Sequence, residues 1–277
     1  MNITICGARG SIPTTSPDTK KYGGNTSCIA VEADGSLLVL DAGSGLQNVS
    51  LEHRPAYSRI DIVLTHLHID HIQGLGFFKP LFSDATEVHI WGPASNAQSL
   101  RVRLGRYFSP PLFPVYFRNL TGKLELHEIE DSRFTIGPFE LQSSYITHPG
   151  PTLGLRIESE KAVLAYLPDH EPALGLNGMI SDRRWLSGSH LAAEADLLLH
   201  DAQYTAAEYK DRVGWGHSSM QDALRYAEIT GAKRLLFTHH DPGHSDAQLN
   251  EMLQELKENR QSTIPYELAV EGMKIAL

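Results

Sequence analysis

The sequence predicts an α/β protein: a four-layer α/β/β/α sandwich, two sheets face to face with helices outside. Three observations predict it. Apolar runs of strand length recur along all 277 residues. Helical stretches lie at intervals among them in both halves, which is how the outer face of a sheet is covered. No linker or low-complexity tract divides the chain, so residues 1–277 read as a single domain of two similar halves, about 1–130 and 131–277.

The elements follow in order. Residues 2–6 form a first strand, which ends at Gly7-Ala8-Arg9-Gly10-Ser11. A polar loop from Thr14 to Asn25 leads to strands at 27–32 and 36–40, joined by Asp34-Gly35, a favoured hairpin turn. Asp41-Ala42-Gly43-Ser44-Gly45 closes that run, and glycine there permits positive φ and close approach to a ligand. Residues 60–64 are a buried strand, 72–78 a short helix, 87–91 a strand and about 94–107 a helix. Pro110, Pro111 and Pro114 then force an irregular, lid-like loop. Strands are expected at 133–136, 139–147, 153–158, 162–166 and 196–200. Residues 218–230 are a helix: Ser218 with Gln221 suits a capping box, Met220, Ala223, Leu224 and Ala227 give an apolar stripe, and Gly231 stops it. A strand at 234–238, a helix at 246–258 and strands at 265–270 and 273–276 complete the chain.

Composition narrows the class. Hydrophobic content of 41% and charged content of 21% suit a globular protein, and no window reaches the roughly 18 apolar residues of a membrane helix. The N-terminus reads as a strand, so the expected compartment is the cytoplasm. Cys6 and Cys28 lie in strand-like runs and are expected in the core. The net charge of −9 argues against a long nucleic-acid partner, though not against one phosphodiester in a local pocket. Residues 88–124 invert that balance. They hold no Asp or Glu, and interleave Arg101, Arg103, Arg106, Arg118 and Lys123 with Tyr107, Phe108, Phe113, Tyr116 and Phe117. Residues 94–123 are therefore a candidate basic-aromatic lid, able to stack on a base and pair with a phosphate.

The stretch that carries chemistry is Thr65-His66-Leu67-His68-Ile69-Asp70-His71, at the end of the 60–64 strand. With 14 His in the chain, His-x-His-x-Asp-His arises by chance with a probability on the order of 0.002, so composition alone does not explain it. Imidazole and carboxylate at this density suit a borderline cation such as zinc. Three more polar sites each follow an apolar run: Thr147-His148-Pro149, Leu167-Pro168-Asp169-His170 and Thr238-His239-His240-Asp241.

The His66-x-His68-x-Asp70-His71 pattern resembles the signature of the metallo-β-lactamase superfamily. The resemblance implies two divalent ions, zinc foremost with manganese or iron tolerated. His66, His68 and His148 would hold one, Asp70, His71 and His239 the other, and Asp169 both, with a shared water or hydroxide. His239 is favoured over His240 because it follows Thr238 as His66 follows Thr65; His170 and His240 are expected to support the site. No Cys stands at a ligand position, unlike the zinc-thiolate β-lactamases.

Residues 216–223 and 236–239 also resemble the ribonuclease Z-like phosphodiesterases, with His200-Asp201-Ala202 where that branch has His-Glu-Ala. By that likeness Asp201 would orient His217 as general acid, and Asp70 joins them among the catalytic residues. A helix start lowers an imidazole's pKa, so His217 needs such a carboxylate to stay protonated. The long arm with which ribonuclease Z grips transfer RNA has no counterpart here. The function implied is in-line hydrolysis of small phosphodiesters such as cyclic nucleotides. The partners implied are that substrate and, at most, a second copy of the chain, with no membrane. A thioester or lactam hydrolase, and a non-catalytic metal-binding regulatory module, are the alternatives.

Overall fold

The computed structural model describes residues 1–51, 57–120, 122–160, 162–176 and 178–277. Alternating apolar residues give two seven-stranded mixed sheets. The first takes β1 (Asn2–Gly7), β2 (Cys28–Ala33), β3 (Ser36–Leu40), β4 (Arg59–Val63), β5 (Glu87–Pro93) and β6 (Lys123–Ile129). The second takes β7 (Ser132–Ile136), β8 (Phe139–Tyr145), β9 (Leu153–Ser159), β10 (Ala162–Leu167), β11 (Leu197–Asp201), β12 (Leu235–Thr238) and β13 (Tyr266–Leu268). The last strand, β14 (Lys274–Ala276), returns to the first sheet beside β1. Each sheet is antiparallel on one side and parallel on the other: β3 to β6 in the first, β10 to β13 in the second.

Period-two alternation assigns the layers. Leu38, Leu40 and Val63 face Leu164, Tyr166, Leu197 and Leu199 between the sheets. The opposite faces of the same strands carry Leu37, Val39 and Ile62, and Ala165, Leu167 and Leu198. Those outer faces are covered by the helices. α1 (Ile69–Ile72) and α2 (Leu100–Tyr107) lie on the first sheet's side, where Leu100 and Leu104 join its outer core. α3 (Ser189–Ala192), α4 (Ala206–Tyr209), α5 (Met220–Thr230) and α6 (Asp246–Asn259) belong to the second half of the chain, and Leu191, Leu224 and Leu249 pack on its sheet. Three cores between four layers make the expected α/β/β/α sandwich. Cys6 and Cys28 are buried and unbridged.

Several details differ from expectation. Of residues 72–78, only Ile72 is α-helical, as the end of the single turn Ile69–Ile72, and a 3-10 turn over Gln73–Phe77 follows, because Gly74 and Gly76 hold a helix poorly and Gly74 packs on the Gly43 carbonyl. The 94–107 helix starts only at Leu100, capped by Ser99. β6 was not expected. The cap of α5 is Ser219, which accepts from Asp222 N, while Ser218 donates to the His170 carbonyl instead. In the basic-aromatic segment 94–123, residue 121 lies outside the described residues; Phe108, Phe113 and Phe117 are buried in the outer core, and Arg101 and Arg118 lie over Phe117 and Tyr116. Among the described residues, no helix is long and apolar enough to cross a membrane.

Candidate metal centre

The parallel strands bring their carboxyl ends to one crevice, the usual place for a ligand in a parallel sheet. β3 ends at Asp41, held at φ +59°, directly beside the end of β4. Asp41 is fully buried and organises the motif that follows β4. It accepts from Thr65 N at 2.8 Å, from Thr65 Oγ1 and from Tyr166 Oη at 3.0 Å. It also accepts from His71 Nδ1 at 2.8 Å, which leaves the His71 Nε2 lone pair free. Thr65 Oγ1, having given its proton to Asp41, accepts from His66 Nδ1 at 3.1 Å and so frees His66 Nε2. His148 Nδ1 donates to the Gly216 carbonyl at 2.8 Å, which turns its Nε2 inward.

Those lone pairs converge. His66, His68, His148 and Asp169 offer one donor atom each, all within 4.8 Å of one another, and Asp70, His71 and His239 do the same. Asp169, at the end of β10, lies between the groups. Its Oδ2 is 3.7 Å from His66 Nε2 and from His148 Nε2 and 3.3 Å from His239 Nε2; its Oδ1 is 3.0 Å from His71 Nε2. Among the described residues, His66 Nε2, His71 Nε2 and Asp169 Oδ1 are buried with no hydrogen-bond partner. Unsatisfied buried donors and acceptors are costly, and two nitrogens facing a carboxylate in this way suit a cation between them. The residues present fit a pair of divalent ions. Two glycines make the approach possible. A Cβ at Gly10 would lie 2.4 Å from the His239 ring, and one at Gly216, whose φ is +87°, would lie 2.3 Å from His148 Nδ1.

Electrostatics sharpen the division of labour. Burial pushes the imidazoles of His66, His68 and His148 down, which keeps them neutral. Burial would push Asp169 up, but His239, His71 and His66 outweigh it and hold the carboxylate ionised. Asp70 is likewise held down by His71 and His239, against its own burial, and also accepts from Ser11 N at 2.8 Å.

His217 stands on the rim. Its Nδ1 donates to Asp201 Oδ2 at 2.7 Å, so the shorter Asp at the end of β11 reaches the imidazole. Asp201 is saturated by further bonds from His170 N, Gln203 N and Ser218 N. The His217 ring lies 4.9 Å from that of His239, and Asp169, His217 and His239 form a third group of converging donors. His240 turns away, and its Nε2 donates to the Ala269 carbonyl. His170 pairs with His200 at 3.0 Å. All seven sequence-derived ligands and the His217–Asp201 pair therefore meet in one place. Asp41, the Gly216 carbonyl and Glu171 were not singled out. Glu171 is buried and accepts from Tyr209 Oη, Gly214 N and Gly216 N, fixing the loop before His217.

A model of the beta-lactamase superfamily domain matches residues 37–240. The chain belongs to the metallo-β-lactamase superfamily. Within this superfamily it is a hydrolase of the ribonuclease Z-like branch. It is 25% identical to the ribonuclease Z of Myxococcus xanthus over 310 residues, covering 100% of this chain and 98% of the relative. The solved human tRNase Z, short form, superposes with a TM-score of 0.66 at 23% identity, over 100% of this chain and 99% of that one. A diphosphatase from the PhnP family superposes with a TM-score of 0.68 at 20% identity, over 99% and 96%. The fold implies divalent metal ions. The ribonuclease names pull toward a nucleic-acid substrate, against the expectation of small substrates alone.

Proposed function

We propose that this chain is a dinuclear metal-dependent phosphodiester hydrolase, acting on small phosphodiesters such as cyclic nucleotides. The observation that carries the proposal is the position of Asp169, whose carboxylate lies 3.0–3.7 Å from imidazole nitrogens of both donor groups, His66 and His148 in one and His71 and His239 in the other. His66, His68 and His148 would hold one ion, Asp70, His71 and His239 the other, and Asp169 would serve both. A pair of bound divalent ions supplies an activated water and neutralises phosphoryl charge. Asp41 fixes the ligating face of His66, through Thr65, and of His71 directly. Asp201 holds His217 with its Nε2 available to protonate the departing alkoxide. The burial of Phe108, Phe113 and Phe117 supports a small substrate, because it packs residues 108–117 against the core and does not leave them as a free arm.

A second reading, 3′ processing of transfer RNA, is favoured by the relatives named ribonuclease Z. One experiment separates them. Protein reconstituted with zinc or manganese is offered a bis-aryl phosphodiester, 3′,5′-cyclic nucleotides, a transfer-RNA precursor with a 3′ trailer, nitrocefin and a glutathione thioester. The proposal expects turnover of the first two, abolished in Asp169→Ala. Turnover of the precursor alone would replace it with the second reading, and turnover of only the last two would end both.

A further inference from the structure

Away from the candidate centre, β5 and β6 assemble another set of imidazoles and carboxylates. The strands are parallel, with His89 opposite Glu125 and Trp91 opposite His127, so all four share one face of the sheet. His89 Nδ1 and His127 Nε2 are 2.8 Å apart, and Glu125 Oε2 is 3.9 Å from each. His89 is buried, and its Nε2 donates to Glu87 Oε1 at 2.8 Å, which makes Nδ1 the lone-pair nitrogen aimed into the group. A carboxylate on the far nitrogen of a ligating imidazole is the usual support of a metal-bound histidine. His127 lies flat on Trp91, with ring centroids 3.9 Å apart.

The distances accommodate an ion. The circle through His89 Nδ1, His127 Nε2 and Glu125 Oε2 has a radius of about 2.1 Å, so its centre lies at zinc–nitrogen and zinc–oxygen bond length from all three. Facing nitrogens of this kind also mark the candidate dinuclear centre, where His148 Nε2 and His68 Nδ1 are 3.2 Å apart. We propose that His89, His127 and Glu125 form a separate site for one divalent cation of the zinc class, which clips β6 to β5. Without an ion, His127 Nε2 donates to His89 Nδ1. With one, the neutral His127 ring carries its proton on Nδ1 instead, and no proton is lost. Glu125 is mostly exposed and free to close on the ion.

The position gives the clip its use. Among the described residues, β6 is the edge strand of its sheet, paired with β5 alone. β5 ends at Pro93 and β6 begins at Lys123, at opposite ends of this parallel pair, so the clip ties together the two strands that the basic-aromatic crossover connects. An ion that binds the folded form alone stabilises it by mass action.

The test counts zinc ions per chain by native mass spectrometry, on zinc-loaded full-length protein and on three variants. His127→Ala should hold one ion fewer than wild type, with hydrolytic activity unchanged. Glu125→Gln, and Glu87→Gln acting through His89, should weaken that ion, the latter by roughly 10–100-fold. Equal ion counts in wild type and His127→Ala would overturn the proposal and leave a plain His–His hydrogen bond. Should His127→Ala misfold, the ¹⁵N shifts of His89 Nδ1 and His127 Nε2 in wild type decide. Movement of both on zinc addition supports ligation, and no movement overturns it. Neither readout depends on which substrate the dinuclear centre takes.

Discussion

His217 is held by Asp201, while Asp41 holds His71 directly and His66 through Thr65, and each arrangement gives a distinct expectation. If His217 protonates a leaving alkoxide, its removal should matter in proportion to how much that leaving group needs a proton. His217→Ala should therefore lower kcat by about 10²–10⁴-fold on a cyclic nucleotide. It should cost far less on a bis-nitrophenyl ester, whose leaving group departs unprotonated; equal losses on both substrates would remove the acid role. Asp201→Asn should follow the same pattern more weakly, because the amide still accepts from His217 Nδ1. Asp41 never faces the ligand atoms, but it fixes the tautomers of His66 and His71. Asp41→Asn should weaken ion affinity by roughly 10–100-fold in a chelator competition. An unchanged affinity would show that the tautomers are set elsewhere. Asp41 was not legible as functional because its role depends on the pairing of Leu40 with Val63, 23 residues apart in sequence, across two strands. The ligands were legible because four of them sit in one six-residue stretch and the others each follow an apolar run.

The loop before His217 shows how an element positions a residue. Glu171 follows Asp169 by two residues, and its carboxylate takes the backbone N–H groups of Gly214 and Gly216. One short stretch thus supplies both a donor at the centre and the anchor of the opposite rim. Gly216 must be glycine on two counts, its positive φ and the His148 ring against it. Gly216→Ala should displace that loop, free His148 Nδ1 and reduce bound metal; full metal occupancy in the variant would show that the tether is dispensable. Other elements were hidden for physical reasons. β6 carries only Leu124, Leu126 and Ile129 among Lys123, Glu125, His127 and Glu128, since an edge strand has little buried face to advertise. The 3-10 turns after α1 read as helix because Leu75 and Phe78 have helical spacing, while the glycine contacts that forbid a helix are tertiary. Phe108, Phe113 and Phe117 looked available for a ligand because sequence does not separate a stacking ring from a core ring.

At the scale of the whole molecule, two groups of described histidines have opposite consequences for stability. Burial pushes His66, His148, His170 and His200 down, and His240 down to about 3. In unfolded chain each returns to its ordinary 6.5. As pH falls from 6.5 toward 3 the unfolded state takes up protons that the folded state refuses, so stability is lost with acidification. His71 and His239 behave the other way. Burial acts against them as cations, but Asp169 and its neighbouring carboxylates outweigh it and raise His239 to about 9. Between 6.5 and 9 the folded state keeps protons that unfolded chain has released, so stability is lost as pH rises. Metal-free protein should therefore be most stable near pH 6.5, with the steeper fall on the acid side, where more groups contribute. Bound metal requires deprotonated ligands, and so replaces the protons on His71 and His239 while competing with those that acid would add. Urea midpoints measured across pH, with chelator and then with zinc, should show the alkaline decline only in the chelated protein. A decline that persists with zinc would mean that these two imidazoles stay protonated, and hence that they do not hold the ion.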